Sequence, residues 1–195
     1  MEPSPFGELY EALKVKVGVF GDKCAGKSTL IKTLANKRHL IKLGRYLPTK
    51  EQRKINFETK VQGRKVEVSF VDVPGSEPFD EEGMATFEES DIVVFAYSIT
   101  SSRNYKVVKS WIEENCELFV KSKTFILAAT MGDLENKRAI SYFEAQNFAY
   151  EHGMRFFETS VSEGFHIREM IDFMVRSQAR RDSGNSNLLR SSTVT

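Results

Sequence analysis

Short apolar runs alternate with helical patterns along this chain. VKVGVF (15–20) is apolar enough to read as a buried strand, and Gly26 to about Lys37 carries a helical pattern. INFETKV (55–61) alternates inward and outward, as a strand packed on one face does. GRKVEVSFVDV (63–73) follows after a single glycine-containing turn, so the two strands are predicted to pair as a hairpin. A helix is predicted over 79–90, then a strand at IVVFAYSI (92–99), a helix near Asn104–Val120 and a strand at TFILAAT (124–130). A helix near Ser141–His152, a strand at RFFETS (155–160) and a last helix near Ile167–Ala179 complete the order. Single helices between continuous apolar strands imply an α/β fold with a six-stranded, mostly parallel sheet covered on both faces by five helices. The hairpin supplies one antiparallel edge strand. No internal repeat is visible, and the polar, Ser-rich stretch from 180 to 195 reads as a loose tail.

Composition narrows the function classes. A chain of 195 residues, 41% hydrophobic and 28% charged, suits one domain with a full core. Residues 1–13 then form an N-terminal extension, 14–180 the domain, and 181–195 the tail. The formal net charge of +1 gives no bulk attraction for nucleic acid, and none is expected as a partner. Cys24 and Cys116 are too far apart in sequence to form a disulfide scaffold and lack metal-ligand spacing, which favours a reducing, cytoplasmic setting. MEPSPFGELYEALK has no signal-peptide core, no run of 18 apolar residues appears, and LLRSSTVT offers no cysteine for prenylation. A chain without its own lipid anchor, recruited to membranes or assemblies by a partner, is the expectation.

In open α/β sheets ligands bind beyond the carboxyl ends of the strands. After the first strand comes GDKCAGKST (21–29), the pattern G-x-x-x-x-G-K-[ST] formed by Gly21, Gly26, Lys27 and Ser28. The glycines let the backbone curl so that the N–H groups of Lys23, Cys24, Ala25 and their neighbours through Thr29 face phosphate oxygens. The following helix adds its N-terminal dipole. Lys27 would reach the β- and γ-phosphates, and the Ser28 hydroxyl would bind Mg²⁺.

With that loop in place, the chain from about 14 to 180 resembles the Ras superfamily of small GTPases, in element order and in the position of each motif. The resemblance implies the family's GTPase domain, with bound GTP or GDP and Mg²⁺. RYLPTKE (45–51) places Thr49 where the family's Mg²⁺-binding threonine stands, with Tyr46 as a cover for the nucleotide. Asp72-Val73-Pro74-Gly75 matches Asp-x-x-Gly: the Asp reaches Mg²⁺ through a water and the Gly amide meets the γ-phosphate. The family's next residue is a Gln that orients the attacking water; here it is Ser76, too short for that task. The resemblance therefore assigns Lys27, Thr49, Gly75 and an impaired Ser76 to the chemistry.

The guanine motif Asn-Lys-x-Asp appears as Thr130-Met131-Gly132-Asp133. Asp133 would accept hydrogen bonds from guanine N1–H and N2–H₂, which adenine cannot supply. Thr130 has less reach than Asn, and Met131 keeps only an apolar stem to lay on the base, so guanine preference with weakened affinity is expected. ETSVSEG (158–164) matches Glu-Thr-Ser-Ala-Lys, with Ser160 and the backbone near Val161 at the guanine O6. Trp111-Ile112 and RFFETS resemble the Rab branch most. Lys23 stands where the family prefers a small residue; it could reach the γ-phosphate, crowd the water or point into solvent. Cys24 admits redox control or a passive role.

Two readings follow. The first is a guanine-nucleotide switch, monomeric on its own, that hydrolyses GTP slowly. Effectors would read the loops around Thr49 and Gly75, and a GTPase-activating protein and an exchange factor would drive the cycle. The second is a pseudo-GTPase, nucleotide-binding or nucleotide-free, serving as a structural subunit of a complex, favoured by Ser76, Thr130 and Met131. An ATPase or nucleotide kinase would leave Asp133, Thr49 and the Asp72–Gly75 turn unexplained.

Overall fold

A computed structural model describes residues 12–36, 49–61, 64–76 and 78–191. Eleven regular elements run through them: β1 (Leu13–Phe20), α1 (Lys27–Asn36), β2 (Arg53–Val61), β3 (Arg64–Asp72), α2 (Glu81–Glu89), β4 (Ile92–Ser98), α3 (Ser102–Glu114), β5 (Thr124–Thr130), α4 (Tyr142–Glu151), β6 (Arg155–Glu158) and α5 (Ile167–Ser191). Short 3₁₀ turns lie at Cys116–Leu118 and Glu135–Lys137. The strands form one sheet in the order β2-β3-β1-β4-β5-β6. Only the β2–β3 hairpin is antiparallel; β1, β3, β4, β5 and β6 pair in parallel, as the alternation of strands and helices requires.

Each central strand is apolar on both sides because each faces a helical layer. Val15, Val17, Val19, Val94 and Ile126 meet Leu30, Ile31 and Leu34 of α1 and Met170 and Met174 of α5. Phe95, Tyr97 and Leu127 face the opposite way, into Phe87 of α2, Val108 and Ile112 of α3 and Phe148 of α4. This double burial explains the continuous apolar runs that mark β4 and β5 in the sequence.

Several ends differ from the sequence reading. β1 and β2 begin two residues earlier than expected, at Leu13 and Arg53. α3 stops at Glu114 rather than near Val120. There the Asn115 side chain and backbone N–H both bond the Trp111 carbonyl, closing the helix. The sixth strand ends at Glu158, since Ser160 leaves the ladder to bridge Phe165. α5 runs to Ser191, well past the expected end at Ala179 and through most of the stretch expected to be a loose tail. Its extension is held to the domain by an Arg64–Asp182 ion pair at 2.7 Å and by the Arg181 guanidinium donating to the Asp91 carbonyl.

Candidate functional site

The candidate site lies where the carboxyl ends of β1, β3 and β5 meet the loops that follow them. The loop 21–26 is curled by three left-handed residues. Gly21 (φ 139°) and Gly26 (φ 79°) take that conformation freely, whereas Cys24 (φ 61°) takes it at a steric cost. A β-carbon on Gly26 would come within 3.1 Å of the Thr130 hydroxyl. The loop is thus pressed against β5. Lys27 is buried and its Nζ donates to the Gly21 carbonyl at 2.8 Å and the Asp22 carbonyl at 3.1 Å. Burial pulls its pKa below the ordinary lysine value, against the opposing pull of Asp72, Asp22 and Cys24.

Three oxygen side chains proposed from sequence for Mg²⁺ converge. The Ser28 and Thr49 hydroxyls are 3.0 Å apart, and the Thr49 hydroxyl donates to Asp72 Oδ2 at 3.4 Å. Asp72 is almost fully buried, and its Oδ1 has no hydrogen-bond partner. A buried carboxylate oxygen left unpaired is costly and wants a cation or a water as partner. Two hydroxyls and one carboxylate are hard oxygen donors of the kind Mg²⁺ takes alongside phosphates and waters. No cluster of three or more His, Cys, Asp or Glu able to hold a metal occurs among the described residues. The residues thus fit an ion held jointly with a phosphate rather than by the protein alone.

Gly75 sits directly on this loop. A β-carbon there would lie 2.6 Å from the Lys23 amide nitrogen and 2.7 Å from Lys27 Nζ. Only glycine allows the Asp72–Gly75 turn to approach so closely. Ser76 is exposed beside it. Beyond the turn, Phe79 stacks on Trp111 at a 4.2 Å centroid distance and on Phe20 at 5.8 Å, which anchors the start of α2.

The opposite end of the site gathers the last two motifs, Thr130–Asp133 and ETSVSEG (158–164). Asp133 Oδ1 accepts from the Ser160 hydroxyl at 2.7 Å, and Ser160 Oγ lies 2.9 Å from Ser162 Oγ. Burial alone would raise the Asp133 carboxyl, but hydrogen bonds from Ser160, its own backbone amide and Ser162 outweigh it and hold the group below the ordinary carboxylate value. The Gly132 N–H donates to the Thr159 carbonyl, tying the two loops together. Beneath them Glu158 is buried and clasped by both terminal nitrogens of Arg138, at 2.8 and 2.9 Å. Thr130 is buried, and its hydroxyl donates to the Ala25 carbonyl at 2.8 Å, with the Tyr97 carbonyl 3.2 Å away. Its role here is to hold the phosphate loop. Met131 is left-handed (φ 62°), and its sulfur accepts from the Ser98 hydroxyl.

Ala25 is buried, Thr29 and Val161 are half-buried, and Lys23 and Cys24 are exposed. Tyr46 lies outside the described residues. The structure also brings in residues that the motifs do not name. Asp22 is buried and accepts from Arg103 Nε at 3.1 Å and Asn104 Nδ2 at 3.3 Å, and Ser98 engages Met131. Asp22 lies inside the phosphate loop and was open to attention there. Nothing in the sequence pairs it with residues more than 80 positions away.

Comparison with known proteins agrees with this geometry. The model of the Ras family matches residues 16–180. Ras-related protein Rab-4 of Dictyostelium discoideum is 29% identical over 138 residues, covering 69% of this chain and 67% of that protein. Ras-related protein Rab-13 of Canis lupus familiaris is 28% identical over 187 residues, 88% of this chain and 85% of its own. Ras-related protein Rab-21 of Homo sapiens is 26% identical over 163 residues, 82% and 69% respectively. Among the described residues no helix is long and apolar enough to cross a membrane. With the family model spanning the domain and these relatives alongside it, the chain belongs to the Ras superfamily of small GTPases, close to its Rab branch.

Proposed function

We propose that this protein is a guanine-nucleotide switch that binds GTP and GDP with Mg²⁺ and hydrolyses GTP slowly. The observation that carries the reading is the convergence of Ser28, Thr49 and Asp72, with the orphaned Asp72 Oδ1, beside a buried lysine. Ser28 and Thr49 would hold Mg²⁺ together with phosphate oxygens, and Asp72 would reach it through a water. When bound, the ion neutralises charge on the β- and γ-phosphates. Lys27 supplies a second positive charge at those phosphates, and the close approach of Gly75 sets its amide to sense the γ-phosphate. Asp133, held ionised by Ser160, supplies the acceptor that selects guanine.

Slow chemistry follows from Ser76. Hydrolysis of this kind depends on positioning and electrostatics, and a serine cannot hold the water while also reaching a phosphate oxygen. Binding survives such a change while turnover falls. Effectors and regulators would read the surfaces next to Thr49 and Gly75, and a partner that supplies the missing group would speed the reaction. A cytoplasmic protein recruited by such partners fits this account.

A second reading, a pseudo-GTPase subunit of an assembly, is favoured by one feature. The Thr130 hydroxyl and the Met131 sulfur are both engaged within the protein, which leaves Asp133 to carry base recognition. The two readings separate on denaturing the purified protein and identifying the nucleotide released. GTP supports slow hydrolysis, GDP supports a working or chaperoned cycle, and no nucleotide favours the pseudo-GTPase. Single-turnover GTP hydrolysis then tests Ser76. Ser76→Gln should be faster than a slow wild type, and a fast wild type would refute the assigned cause.

A further inference from the structure

The phosphate loop holds an unusual residue in an unusual conformation. Cys24 adopts φ 61°, which a residue with a β-carbon resists. Something outside the loop has to keep it there. Lys27 Nζ holds the Gly21 and Asp22 carbonyls, and Thr130 holds Ala25. The peptide between, Lys23 to Cys24, is held from the first turn of α3. Asn104 Nδ2 donates to the Lys23 carbonyl at 3.0 Å and to Asp22 Oδ2 at 3.3 Å. Asp22 Oδ1 in turn accepts from the Lys23 N–H at 2.7 Å, so both ends of residue 23 are fixed. Asn104 and Asp22 are both more than nine-tenths buried, where such hydrogen bonds are costly to break. Arg103 joins from the surface, its side chain 80% exposed while Asp22 is 10% exposed.

We infer that Asp22 and Asn104 are positioning residues for nucleotide retention: they clamp the Lys23–Cys24 peptide beside the left-handed Cys24, so that its one N–H, that of Cys24, is kept for phosphate. This rests on the proposed nucleotide-binding reading. The clamp has a direction that a purely structural contact lacks. It offsets strain at one residue, so removing that strain makes the clamp dispensable. Glycine adopts a positive φ without penalty.

The test uses the full chain loaded with a fluorescent GDP analogue and follows its release against excess GDP. Asn104→Ala should release the analogue at least about tenfold faster than wild type, since it loses both hydrogen bonds of the amide and about tenfold is the change expected for one. Adding Cys24→Gly to Asn104→Ala should bring release back to within about threefold of wild type, because the loop no longer resists its conformation. Arg103→Ala, at the exposed end of the clamp and harmless to folding, should speed release about twofold. Release from Asn104→Ala at the wild-type rate overturns the inference, as does a double variant no slower than Asn104→Ala. A second readout needs no bound nucleotide. Amide hydrogen exchange of the peptide covering 21–28 in the nucleotide-free protein should be faster in Asn104→Ala than in wild type, and equal exchange overturns the clamp. A wild type that holds no guanine nucleotide would instead defeat the proposed function, while the exchange comparison still decides whether the clamp exists.

Discussion

The Thr130 hydroxyl is occupied before any base arrives, donating to Ala25 across a span of 105 residues. It fixes the phosphate loop against β5, so its loss should weaken the fold as well as nucleotide binding. Thr130→Ala should cost about 1–3 kcal/mol, the price of leaving a buried carbonyl unpaired, read by urea denaturation of the nucleotide-free protein. Asp133 makes a separate prediction. Its carboxyl is held below the ordinary value of 3.8, so the charged form is the one the fold favours. That contribution is complete above the ordinary carboxylate value and fades as pH falls through the lowered one. Ser160→Ala removes the Ser160 hydrogen bond to Asp133 and should raise its titration midpoint, followed by NMR of the carboxyl carbon. An unchanged midpoint would mean that Ser160 does not hold the charge.

Helix α2 follows directly from the Asp72–Gly75 turn and is fastened at both ends. At its start Asp80 caps the Gly83 N–H, and Phe79 is stacked on Trp111 of α3. At its end Lys123 Nζ donates to the carbonyls of Phe87, Glu88 and Ser90, adding a charged donor to the exposed carbonyls of the helix end, where Phe87 also accepts from the Ser90 N–H. Lys123→Met should destabilise the protein by about 1–2 kcal/mol and speed amide exchange in the last turn of α2, leaving its first turn protected. The Asp80 cap is local to α2, but the fastening of its end is not legible from the sequence around it, because Lys123 reaches it from before β5. The strands are legible, since β4 and β5 are apolar on both faces and show it as unbroken runs. The helix ends are less so. Asn115 closes α3 with a local side-chain bond that periodicity does not register, and α5 outlasts its apolar stripe because Arg181 and Asp182 find partners on β4's approach and on β3.

Across the whole molecule most motifs are legible because they follow the carboxyl end of a strand, where a short loop leaves little freedom for where the side chains go; Thr49 instead precedes β2. Lys27, Ser28, Thr49, Asp72 and Gly75 are therefore brought together as the motif order implies. What the motifs do not reveal is the support: Asp22 with Asn104, and Glu158 with Arg138, are contacts between segments that only the folded sheet makes neighbours. An ion that Ser28, Thr49 and, through water, Asp72 would hold would depend on phosphates for the rest of its shell. Chelating Mg²⁺ with EDTA should therefore speed GDP release by at least about tenfold, a coupling of the usual size between two ligands of one site. Guanine binding is what every proposed role of these residues requires. Titrating the nucleotide-free protein with fluorescent GDP and ADP analogues in the presence of Mg²⁺ tests it most directly. The GDP analogue should bind at micromolar or tighter concentration and the ADP analogue at least about 100-fold more weakly, the discrimination expected of a carboxylate to which adenine offers no N–H donors in place of guanine's. Equal affinity for the two, or no binding of either, would contradict it.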